Sequence, residues 1–133
     1  MGKTLTLVRS SPRDLIIIPL WVFNPDTEQG HQIAAHLDTG NDHTCLRQDV
    51  LDKIGASASG RLVSVQGVTG VSTARVTRLT FGIQMDGDKQ VIIDRHEVPV
   101  LPQMSCEALI GRDFLEWFDV MILRNGSVEI ASD

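Results

Sequence analysis

Asp38-Thr39-Gly40 places a carboxylate in a loop between two apolar runs, His31 to Leu37 and Thr44 to Leu46. A carboxylate held between two rigid elements suits a general acid or base. The tripeptide alone is also consistent with an Asp that opens a turn and a Gly that supplies a positive φ. A second stretch is Ala108-Leu109-Ile110-Gly111-Arg112-Asp113-Phe114-Leu115, apolar residues running through a glycine into a helix with Arg at its start. Alone it reads as a buried strand, a bend and a capped helix. A third stretch, Gly67-Val68-Thr69-Gly70, lies between two strand-like runs. It is either an ordinary hairpin turn or a mobile tip whose glycines let the backbone approach a ligand.

These residues need elements to hold them, and the apolar pattern supplies mostly strands. Val, Ile and Thr recur in short runs bounded by Gly, Pro, Asn and Asp. Strands are expected over Leu15 to Phe23, His31 to Leu37, Thr44 to Leu46, Leu62 to Gln66, Val71 to Met85, Val91 to Ile93 and Val98 to Leu101. A closing hairpin is expected from Asp119 to Leu123 and Ser127 to Ile130, over Asn125-Gly126. In the longest run Leu79, Phe81, Ile83 and Met85 share one face, and Asp86-Gly87 marks the turn after it. Two short helices are expected, Gln48 to Ile54 stopped by Gly55, and Asp113 to Phe118 with Phe114, Leu115, Trp117 and Phe118 on its apolar side. The fold class is therefore all-β with two short helices, a small barrel or sandwich. The 133 residues fit one domain, read as an N-terminal arm over 1–14 and a domain over 15–131.

Composition narrows the partners. Hydrophobic residues make up 42% and charged residues 22%, an ordinary globular balance. The net charge of −5, with scattered Lys and Arg, argues against a nucleic-acid partner. No apolar run reaches the length of a membrane span, and Met1 to Ser11 lacks the apolar centre of a signal peptide. A soluble, cytoplasmic protein without a membrane contact is expected.

Rival chemistries are weaker. His31, His36, Asp38, His43 and Cys45 lie close in sequence, but strand alternation scatters them and no compact metal-binding spacing appears. Neither a metal nor another cofactor is called for. Cys45 and Cys106 are read as reduced structural thiols, and His31 and His96 as surface histidines.

Taken together, the three stretches occur in the order strand, Asp-Thr-Gly, strand, helix, glycine-tipped hairpin, Leu-Ile-Gly-Arg-Asp and helix. That order, from about Leu15 to Ile130, resembles the retropepsin-like aspartic protease family. The resemblance is strongest over His36 to Leu46 and Leu109 to Leu115. It implies a closed six-stranded acid-protease barrel and a homodimer with its active site at the interface. It also implies an aspartic endopeptidase acting on a peptide or protein substrate. By that resemblance Asp38 is the catalytic aspartate of each chain, Thr39 bonds across the two-fold axis, and Gly40 offers its carbonyl to substrate. Asp42 contacts substrate main chain and pairs with Arg112, while Gly111 and Asp113 brace the loop. The segment around Gln66, Gly67, Val68, Thr69, Gly70 and Val71 is a flap. Thr4 to Val8 and Ser127 to Ile130 interleave between chains. Asn41 departs from the Ala or Ser usual at its position and bears on substrate preference. An apolar preference is expected from lining by Leu37, Val68, Val71 and Ile110.

The chemistry of amide hydrolysis points the same way. One group must take a proton from water and another must give one to the leaving amine, and two adjacent carboxyls sharing a proton do both. Asp86-Gly87-Asp88 lacks the loop context of Asp38. With one such carboxylate per chain, a two-lobed monomer is excluded and a closed two-fold dimer supplies the second. The alternative is a dimeric peptide-binding or scaffold module of this fold with little or no catalytic activity.

Overall fold

Alternating apolar residues build the strands, and their pairing closes them into a barrel. The computed structural model describes residues 2–67 and 70–133. In chain order the elements are β1 (Lys3–Leu7), β2 (Ile17–Phe23), β3 (Gly30–Leu37), β4 (Cys45–Arg47), α1 (Gln48–Lys53), β5 (Leu62–Gly67) and β6 (Gly70–Gln84). They continue with β7 (Gln90–Leu101), β8 (Ala108–Ile110), a 3-10 helix (Arg112–Glu116), β9 (Asp119–Ile122) and β10 (Val128–Ser132). Six strands run in the order β2-β3-β8-β4-β7-β6, and β6 returns to β2 through Trp21↔Gly82 and Val22↔Phe81. The sheet is thereby closed, which removes its free edges. The interior is filled by one cluster that includes Leu20, Val22, Leu46, Leu51, Leu79 and Phe81, all fully buried.

The expected face of β6 is the buried one: Leu79, Phe81, Ile83 and Met85 are each 2% exposed or less. Its other end leaves the barrel. β5 pairs only with the first part of β6, from Leu62↔Arg75 to Gly67↔Gly70. The helix over Gln48–Lys53 ends as expected, with Gly55 at φ +64°.

Three expectations are corrected. Of the two short helices expected, the segment after Gly111 is 3-10 rather than α and begins at Arg112, with Phe114 N donating to Gly111 O and Trp117 N to Phe114 O. No side chain of Gly111 can cap its start, and the Asp113 carboxylate divides its bonds between Phe114 N in the first turn and Thr44 outside it. Of its apolar residues Phe114 and Phe118 are buried, whereas Leu115 and Trp117 are each 36% exposed. Second, Val91–Ile93 and Val98–Leu101 are parts of one strand, β7, interrupted by a bulge. Leu79 pairs with His96 and Phe81 with Ile93, so Asp94 and Arg95 together oppose Thr80. Arg95 takes φ +50°, an uncommon conformation held by its amide donating to Thr80 Oγ1. Third, the bulge shifts the alternation by one residue. Val91 and Ile93 face inward before it, and His96, Val98 and Val100 after it. His96 is thus not a surface histidine; its side chain is 18% exposed.

The two terminal segments pair with each other inside the chain. β1, β10 and β9 form an antiparallel three-stranded sheet in that order, with Lys3↔Ser132 and Val128↔Ile122 among the partners. Val128 and Ile130 are buried from this sheet into the barrel core, joined by Leu5, Leu7 and Val120. Among the described residues no helix is long and apolar enough to cross a membrane.

Candidate active site

The position of Asp38 follows from a crossing in the sheet. β3 and β4 are consecutive along the chain, yet β8 lies between them, parallel to β3 and antiparallel to β4. The connecting loop, residues 38–44, must therefore pass over the end of β8. It is tied there by Asp38 N donating to Ile110 O (2.9 Å) and Arg112 N donating to Asn41 O (2.8 Å). Within the loop Asn41 N donates to Asp38 O, and Gly40 N to Asp38 Oδ1 at 3.0 Å. The crossing is tight: a Cβ on Gly111 would stand 2.6 Å from the His43 carbonyl carbon and 2.8 Å from Asn41 O. Glycine is required there for close approach rather than for its dihedral freedom.

Asp113 fastens the far side of the loop. Its Oδ1 accepts from Thr44 N (2.9 Å), Thr44 Oγ1 (2.8 Å) and Phe114 N (3.1 Å). Its Oδ2 lies 2.7 Å from His96 Nε2. Thr44 Oγ1 in turn accepts from Gly111 N at 3.1 Å. Burial pushes the Asp113 carboxyl up, but the His96 and Thr44 hydrogen bonds outweigh it and hold the group below its ordinary value. Arg112 reaches Asp42 in an ion pair whose side chains are 54% and 73% exposed. Such a pair contributes little in one chain on its own.

Asp38, Thr39, Gly40 and Asp42 are exposed and Asn41 is half-buried. The chain thus brings Asp38, Asn41, Asp42, Gly111, Arg112 and Asp113 together. Gln66, Gly67 and Gly70 belong to the β5–β6 hairpin, while Val68 and Thr69 lie outside the described residues. Among the described residues no hydrogen bond joins that hairpin to the Asp38 loop. The expected apolar lining is corrected in part: Ile110 is 2% exposed and Leu37 packs on the same core, so Ile110 faces the barrel interior. A groove of about 320 Å³ near His43 is instead of mixed polarity, with Arg61, Glu97, Leu62 and Pro99 in its walls.

Among the described residues no three His, Cys, Asp or Glu side chains gather as metal ligands. Both cysteines are free and buried. Burial, and next the charge of Asp113, push the Cys45 thiol up to about 11, which removes it as a nucleophile at neutral pH. His96 and Thr44 are contributors that the sequence reading missed. Thr44 carries no local signal beyond its strand, and His96 is placed by the bulge.

The retropepsin-like aspartic protease from Rickettsia conorii has the same fold: TM-score 0.67 over 99% of this chain and 96% of that one, at 17% identity. The simian foamy virus protease aligns over 77% of this chain and 93% of its own, at 20% identity and TM-score 0.49. No curated protein sequence matches the chain. The family model described as gag-polyprotein putative aspartyl protease matches residues 27–117, and with the retropepsin-like barrel built around Asp38-Thr39-Gly40 the chain belongs to that family.

Proposed function

We propose that the chain is an aspartic endopeptidase that works as a homodimer, with Asp38 of each chain contributing one carboxyl. The observation that carries this reading is the placement of Asp38: exposed, single, and held in a loop fixed to the end of β8. A rigid, uncovered carboxylate is suited to facing its own copy across a two-fold axis. Two such carboxyls share one proton. The ionised member takes a proton from water as it attacks the scissile carbonyl, and the protonated member supports the developing oxyanion and then the leaving amine. Thr39 bonds across the axis, Gly40 presents its carbonyl to the peptide, and Asn41 and Asp42 meet substrate main chain with Arg112 bracing Asp42. The hairpin from Gln66 through Gly67, Val68, Thr69 and Gly70 to Val71 closes over the peptide.

The terminal sheet offers a place for the dimer contact. The free edge of β1 is already engaged, since Asp86 N donates to Thr4 O and Thr6 N donates to Asp86 Oδ2. β9 is the other edge, paired only with β10 among the described residues, and it exposes Met121 and Ile122 by 56% and 53%. An open, apolar edge strand is a template for pairing with a second chain.

The test is cleavage of a peptide library by the wild type and by Asp38→Asn, from acidic to neutral pH. Loss of at least about a thousandfold in kcat/KM in the variant is expected, the scale of removing a catalytic group. If the wild type binds peptides but cleaves none, a peptide-binding module of this fold replaces the enzyme.

A further inference from the structure

The hydrogen bonds that hold the Asp38 loop do not end at Asp113; they continue to a histidine on the barrel wall. His96 faces inward only because Asp94 and Arg95 form a bulge opposite Thr80. The bulge is itself fastened, with Thr80 Oγ1 donating to Asp94 Oδ1 and accepting from Arg95 N. The imidazole is clamped on its faces and edges. Its centroid lies 5.2 Å from the Phe114 ring, 5.3 Å from Trp117 and 6.4 Å from Phe81, all near perpendicular. Packing of this kind fixes the ring orientation and aims Nε2 at Asp113 Oδ2. An ionised carboxylate only accepts, so Nε2 carries the hydrogen of that bond.

We propose that His96 is a positioning residue for the Asp38 loop, acting through Asp113 and Thr44 on Gly111, where the loop crosses β8. Each link is a short contact between partly or fully buried groups: His96 to Asp113, Asp113 to Thr44, Thr44 to the Gly111 amide. Without the His96 donor, Oδ2 is left part-buried and unpaired. The carboxylate then has reason to rotate toward water, releasing both bonds to Thr44. Asp113 is the charged group that meets the ring. β6 contributes Phe81, β4 brings to Asp113 a Cys45 thiol that stays protonated, and Glu97 beside His96 on β7 is held by Arg61 and Arg78. The effect on turnover rests on the peptidase reading proposed above, whereas the effect on the loop does not.

Residue-resolved amide exchange on the full chain tests this, comparing wild type, His96→Phe and His96→Gln. Phe keeps the ring packing and removes the donor; Gln returns a donor close to the Nε2 position. The expected result is exchange about tenfold faster at Thr44 and Gly111 in His96→Phe, with barrel amides such as Val22 and Phe81 unchanged and His96→Gln near wild type. Peptide turnover should show kcat down about tenfold in His96→Phe with KM within about twofold, again recovered in His96→Gln, the scale expected of a small displacement of a catalytic group. Thr44 and Gly111 as protected in His96→Phe as in wild type would overturn the proposal. So would loosening of all amides alike in both variants, which would make His96 a packing residue only. A wild type that cleaves nothing would sink the peptidase reading alone, and the exchange measurement would still decide the role of His96.

Discussion

Two segments proposed to meet substrate are built in opposite ways. The Asp38 loop is tied to β8, the 3-10 helix and β7 by short hydrogen bonds and by a backbone approach that leaves no room for a Cβ on Gly111. The β5–β6 hairpin has its outer half paired only within itself, and a Cβ on Gly70 would meet nothing within 4 Å. One is fixed by a network of hydrogen bonds to its neighbours; the other has its own ladder and, nearer the barrel, the packing of Val65 and Ala74 on Cys45. On the proposed function this contrast separates catalytic geometry from access: a carboxylate that meets its twin is best held still, and a segment that closes over a peptide is best free to move.

Substitutions can break this contrast, and the largest effect is expected at the crossing. Gly111→Ala forces backbone against backbone and should cost about 3 kcal/mol of stability, read by urea unfolding, with activity lost alongside. Next comes Asp113→Asn, at about 1.5 kcal/mol at neutral pH, because the charged acceptor of Thr44 and partner of His96 is gone. The contribution of Asp113 has a definite pH dependence. Its folded-state carboxyl lies below the ordinary value of 3.8, so the stabilisation is complete above that value and is lost as pH falls through the lower folded one. The stability gap between wild type and Asp113→Asn should therefore close as pH falls below about 4. A gap that stays open in strong acid would reject the assignment. The smallest effect is expected on the other side of the comparison. Gly70 sits at φ +129°, so Gly70→Ala strains the hairpin by about 1 kcal/mol. It should raise KM while leaving amide exchange at Thr44 and Gly111 untouched. If it disturbed those amides, the two segments would not be independent.

Much of the fixed segment was legible in the sequence because it is spelled by local rules. The strand before Asp38, the strand after it and the glycine before Arg112 are all visible as alternation and punctuation. The inward face of β6 was likewise read from Leu79, Phe81, Ile83 and Met85. What was not legible came from non-local pairing. Nothing in Asp94-Arg95 announces a bulge, so nothing local marked His96, read as a surface histidine, as turned inward. The second helix is 3-10 for a similar reason: Asp113 looks like a helix starter, but its carboxylate also serves Thr44, 69 residues away in sequence. The resemblance put Thr4 to Val8 and Ser127 to Ile130 together between chains, and strand pattern could not say whether they also pair within one. The β1–β10 ladder forms within the chain, so the proposed contact between chains lies at the open edge of β9.

Whether one chain holds half of a site is tested most directly by measuring peptide cleavage per mole of chain across a dilution series, alongside the oligomeric state by sedimentation at the same concentrations. Specific activity is expected to fall on dilution in step with the dimer fraction, and excess Asp38→Asn chain to lower wild-type activity by forming mixed dimers. Specific activity that stays constant down to concentrations where only monomer sediments would contradict the half-site reading.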